Sequence, residues 1–252
     1  MEIAFWLVII FALVYEPIVG YFDFRKFKLA VKTNENARSR YYIHSIIGLW
    51  VPAIFILLLA AFTDLTYGDI GLTWPTINTE TLGPVVTYIV LGIACLYLLV
   101  ILYYLIGYHY SAKIRKSIVQ AKEMELEKAG FSEILPTTEK EKRLWNYVSI
   151  TAAITEEIIY RGFLIFALAY LFPNVSIWLI ILMASLLFGL AHTYQGLSGV
   201  IRTTVFGLIF SVLYMGLGSI LPLMVLHFLI DYLAKLGEKI DEKTNLQLNN
   251  GL

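Results

Sequence analysis

Seven stretches of the chain hold almost no charge and are long enough, or nearly so, to cross a bilayer. They cover residues 3–19, 42–62, 84–108, 144–172, 175–192, 199–215 and 220–236. A hydrocarbon core about 30 Å thick takes roughly 17–25 mostly apolar residues per helical crossing. The pattern therefore predicts an all-α polytopic membrane helix bundle of about seven transmembrane helices. The first stretch has Glu2 where a signal peptide carries a basic region, and it runs into Glu16 and Pro17 without a small-residue cleavage site. It reads as a span. The last two are short and joined only by Gly216-Leu217-Gly218-Ser219, which predicts an antiparallel hairpin.

The polar positions between the spans are not evenly signed. Fourteen of the 19 Lys and Arg residues lie within 25–40 and 113–143, two alternate loops, and Arg202, Lys235, Lys239 and Lys243 fall at the same face. The loop 63–83 holds Asp64, Asp69 and Glu80 but no Lys or Arg. Basic loops stay cytoplasmic, so the N-terminus is expected outside and the C-terminus inside, in a cell (plasma or inner) membrane. The segment 120–143 interleaves Glu and Lys, reads as a cytoplasmic helix or amphipathic connector, and closes at Gly130 and Pro136. One membrane domain is expected: spans and connectors over 1–134, a core over 135–236 and a polar tail over 237–252.

Composition agrees with this picture. Hydrophobic residues make up 59% of the 252 and charged ones only 15%, against about 45–50% and about 25% in a soluble domain. The formal net charge is zero, so bulk charge points to no nucleic-acid partner. The single cysteine, Cys95, excludes an intramolecular disulfide framework and a Cys-based zinc site, and reads as a small buried hydrophobe.

Ionisable side chains deep in a bilayer are costly and mark function. Glu156 and Glu157 are adjacent in the fourth span, with Glu156 roughly 18 Å from its start at the α-helical rise. Glu157 and Arg161, four apart, can pair along one face, leaving Glu156 about 100° round the helix and free to activate water. His192 closes the fifth span in Phe188-Gly-Leu-Ala-His192. His227 and Asp231 share a face of the seventh, a spacing that also suits paired metal ligands. His44 and His109 sit at span ends without such partners and read as interfacial.

In this order on successive spans, Glu156-Glu157-x-x-x-Arg161, Phe188-x-x-x-His192 and His227-x-x-x-Asp231 resemble the CPBP family. That family, also called ABI, comprises the CAAX prenyl proteases and bacteriocin-processing or immunity enzymes, type II CAAX endopeptidases among them. Leu135-Pro136 followed by Glu141, the run Arg161-Gly162-Phe163-Leu164, Gly218-Ser219-Ile220 and the short element Gly68-Asp-Ile-Gly-Leu72 support the likeness.

The resemblance implies an intramembrane endopeptidase in a helical bundle, with a water-accessible cavity opening toward the cytoplasm. In it Glu156 would be the general base, helped by His192. His227 and Asp231 would orient the reacting groups, stabilise the oxyanion or hold a metal, and Glu157 with Arg161 would position the site. Two accounts of the chemistry follow. Glu156, His192, His227 and Asp231 hold a Zn2+ that acidifies bound water, or no metal takes part and His227 donates to the oxyanion. An ionised Asp231 only accepts hydrogen bonds, unlike the Asn that is the other common choice in the family, and so favours metal ligation or orientation of His227. The implied partners are the bilayer and a peptide or protein substrate, lipidated or membrane-embedded ones included. A non-catalytic scaffold or bacteriocin-immunity protein on the same fold is the alternative. A transporter is disfavoured by the lack of inverted repeats.

Overall fold

The computed structural model describes residues 1–128 and 132–236. The expected tail 237–252, with Lys239 and Lys243, lies outside them, as does Gly130. The described residues form helices and short turns with no strand among them. Helix α1 is Glu2–Ala30, α2 is Ala37–Phe62, α3 is Pro84–Tyr110 and α4 is Ala112–Lys128. Helix α5 is a continuous rod made of Glu139–Glu156, a π-helical segment Glu157–Phe163, and Leu164–Leu171. Helices α6 (Ile177–Leu190), α7 (Gly196–Leu217) and α8 (Leu221–Ala234) complete the bundle.

Four segments, Glu2–Ala30, Ala37–Phe62, Pro84–Tyr110 and Thr193–Leu217, are long and apolar enough to cross a membrane. The other predicted spans are helical too. However, α6 and α8 have only 14 residues each, or about 21 Å at the helical rise, and α5 carries the charges. α1 continues eleven residues beyond the predicted end at 19, through Arg25 and Lys28 to Ala30.

Local chemistry explains several of these boundaries. Pro17 cannot donate to the helical ladder, and α1 absorbs it in a π-helical stretch, Phe11–Gly20. Gly83 and Pro84 start α3, where a missing N–H costs nothing. The α7–α8 turn closes on Gly218, at φ +59°. Helix α5 begins with a reciprocal cap: Thr138 accepts from the Glu141 backbone N–H, and Glu141 accepts from that of Thr138. The same carboxylate takes the Arg38 guanidinium of α2 at 3.0 and 3.1 Å, and Arg38 also donates to the Glu133 carbonyl. Burial works against the Glu141 carboxylate, but the Thr137 backbone N–H and the Arg38 guanidinium outweigh it. They hold the group below the usual carboxylate range.

The core gathers round the middle of α5. Residues 157 to 165 are all buried there, and Phe5 of α1 meets Phe163 edge-on at 5.4 Å. The loop 63–83 folds back over one end. Its Gly71 carbonyl accepts from the Ile220 N–H, while Thr76 and Asn78 donate to the Leu217 and Gly216 carbonyls, each at 2.9 Å. Ile70 is fully buried against Gly162, where a Cβ would stand 2.4 Å from the Ile70 oxygen. Only glycine fits at that crossing.

Helix α3 turns Ile89, Ile93, Leu96 and Leu99 outward, an apolar face suited to lipid. Cys95 lies exposed on this helix, not buried as expected. Apolar neighbours in sequence signal burial against lipid as readily as burial in a protein core.

Candidate active site

Glu157 is the hub of the buried charges. Its Oε1 accepts from Arg161 Nη1 at 3.0 Å and from His227 Nδ1 at 2.8 Å, although Glu157 and His227 are 70 residues apart. The predicted Glu157–Arg161 pair is therefore present, within the π-helical segment. Both side chains are essentially sealed, at 0% and 1% exposure. A buried ion pair persists only where further contacts repay its desolvation. Here the Arg161 guanidinium lies 4.1 Å from the Phe188 ring centroid and 5.3 Å from that of Phe210, a cation–π sandwich.

The bond to Glu157 settles the His227 tautomer. A carboxylate accepts, so Nδ1 carries the proton and Nε2 faces the other way. That nitrogen stands 3.9 Å from Glu156 Oε2 and 3.8 Å from Asp231 Oδ2. The last helix thus brings His227 level with Glu156. The Glu156 side chain is 13% exposed and that of Asp231 32%, so the cluster opens progressively outward from its sealed Glu157 base.

His192 follows the same logic. Its Nδ1 lies 2.9 Å from the Phe188 carbonyl and must donate to it, which leaves Nε2 bare in the neutral ring. The His192 ring rests on Phe188, at 4.9 Å between centroids, and lies within electrostatic reach of His227 and Arg161. Five of the six predicted residues thus meet directly, on α5 and α8, and His192 at the end of α6 joins them through Phe188, which carries both its ring and the Arg161 guanidinium.

Two side chains near the cluster were not among the predicted site residues. Glu16, beside Pro17 in the π-helical part of α1, lies within electrostatic reach of Glu156 and Tyr160. A lone carboxylate inside an apolar span was the available signal. Phe210 of α7, packed against both Arg161 and His227, gave none.

As a metal site the cluster fits poorly. Among the described residues no three His, Cys, Asp or Glu side chains converge as a ligand group. His227 Nε2 with the Glu156 and Asp231 oxygens comes nearest, and His192 does not complete the set. The arrangement instead suits proton transfer between a carboxylate and an oriented imidazole.

With that geometry in view, one comparison points to a family. Residues 142–233 match the Rce1-like family, that of the type II CAAX prenyl endopeptidases. This match supports a CPBP-family intramembrane protease, and the Rce1-like segment contains every residue of the cluster. It covers a little over a third of the chain and falls within the core expected at 135–236. No curated protein and no solved structure gives a significant match.

Proposed function

We propose that the protein is an intramembrane endopeptidase that hydrolyses a peptide bond with water activated by Glu156. The observation that carries this reading is the placement of Glu156 beside an imidazole whose far nitrogen is locked by Glu157. A carboxylate beside an oriented imidazole can take a proton from water and return it to the leaving amine. His192, with a bare Nε2, assists in orienting that water. Asp231 lies on the open side, 3.8 Å from His227 Nε2, and adds a negative charge beside the ring. Arg161 offsets one of the three carboxylate charges and keeps Glu157 in place.

In this reading the chain crosses the membrane seven times, with α6 and α8 as short spans. The basic loops lie in the cytoplasm, the N-terminus outside and the C-terminus inside, in the cell membrane. The loop 63–83 covers the outer end, and the site is reached from the cytoplasmic side. An apolar groove between Tyr104, Ile118, Ile230 and Leu233 offers a surface for a membrane-embedded or lipidated peptide.

The test is cleavage of a broad peptide library, lipidated members included, by the purified chain in detergent, with metal analysis of the same sample. Glu156→Gln should abolish turnover while leaving the fold intact. Activity that survives metal removal supports the glutamate account, and activity that follows stoichiometric zinc supports the metal account. A cellular role that Glu156→Ala and His192→Ala both retain would establish the non-catalytic alternative.

A further inference from the structure

The turn after His192 is tied down at several points. The Thr193 hydroxyl donates to the Pro17 carbonyl of α1 at 2.8 Å. The Gln195 N–H bonds back to the His192 carbonyl, and Gly196, at φ +79°, turns the chain into α7. Gly199 lacks the Cβ that would stand 2.3 Å from that of Gln195. A loop fixed this firmly beside a polar cluster is a place for chemistry.

The residue at its centre is Tyr194. Its ring lies between His192, stacked at 5.9 Å, and Phe24 of α1 at 5.0 Å. Its phenolic oxygen accepts from Gln195 Nε2 at 3.0 Å, and Gln195 Oε1 in turn accepts from Arg202 at 2.8 Å. This chain starts at a cation and points its donors at the phenol. The Tyr194 oxygen is therefore used as an acceptor, and its own O–H becomes a stronger donor. The groups within its electrostatic reach are Glu156, Asp231 and Glu16, the carboxylates that border the site.

We propose that the Tyr194 O–H is the oxyanion donor of this site. The inference rests on the endopeptidase reading and supplies what that reading lacks. Ionised Asp231 cannot donate, and His227 spends its Nδ1 proton on Glu157, leaving no neutral donor among the six clustered residues for the developing charge. In the step, Glu156 takes one proton from water as the water oxygen bonds to the carbonyl carbon. The carbonyl π pair moves to oxygen, where Tyr194 donates a hydrogen bond and keeps its proton. As that pair returns, the C–N bond breaks and the amine leaves with the proton carried on Glu156.

Tyr194→Phe keeps the ring and removes only the donor. With a fluorogenic peptide taken from the library, kcat should fall about 10²–10³-fold, with KM and the thermal midpoint unchanged. Gln195→Met, which leaves the phenol in place but unpolarised, should lower kcat by a smaller factor, about tenfold. It decides the matter if Tyr194→Phe folds poorly. A kcat within threefold of wild type in either well-folded variant overturns the proposal while the peptidase reading stands. A wild-type chain that cleaves nothing overturns both.

Discussion

Helix α3 buries only Thr87, Ile101 and Gly107 of its 27 residues, whereas the seven residues from Glu157 to Phe163 in α5 are all buried. The first is among the most apolar stretches of the chain, yet 11% of its most apolar window is inside the protein. The second includes Glu157 and Arg161 and has no contact with solvent at either side chain. In a membrane protein apolarity marks what faces lipid, and the protein interior is where charge can be paired and kept. Helix α3 meets a fluid solvent and tolerates exchange. The middle of α5 meets His227, Phe188 and Ile70 at fixed distances and does not.

Substitutions can test that contrast, and the largest effect should come from the cluster. Glu156→Gln is expected to lower kcat about 10²–10⁴-fold with little change in thermal midpoint; an unaltered rate would remove Glu156 as the base. Arg161→Leu should destabilise by about 3–5 kcal/mol, because it strands Glu157 in the interior. Unfolding monitored by circular dichroism in detergent would measure it. Gly162→Ala places a methyl against the Ile70 carbonyl and should cost about 1–3 kcal/mol.

The acid limb of stability should report Glu141, whose carboxyl is held below its ordinary range by Thr137 and Arg38. That stabilisation is complete above the unfolded carboxyl pKa, about 4, and is lost as pH falls through the lower folded value. Arg38→Met should flatten this part of the pH–stability curve. At the other extreme, Leu96→Ala on the lipid face of α3 should change stability by about 0.5 kcal/mol or less. A larger loss would mean that α3 has a protein partner.

Much of the fold was legible because helices crossing a bilayer announce themselves as apolar runs. Six of the seven predicted runs end within a few residues of a helix terminus, while α1 outlasts its run because Lys and Arg stems can extend along apolar surface. The Glu157–Arg161 pair and the shared face of His227 and Asp231 were equally plain, since helical periodicity is local. The bond between Glu157 and His227 was not, because nothing local marks a contact made across 70 residues. The same holds for Phe210 beneath Arg161 and for Ile70 against Gly162. Cys95 was misjudged because sequence does not distinguish a lipid-facing thiol from a core one.

The loop that carries Ile70 has a further consequence. A hydrolase inside a bilayer must admit water to a polar cavity without becoming a conduit for ions. Backbone bonds between Gly71, Thr76 and Asn78 and the α7–α8 turn pin the loop 63–83 across one end of the bundle. Under the proposed endopeptidase reading, that main-chain stopper leaves peptide and products one side by which to enter and leave.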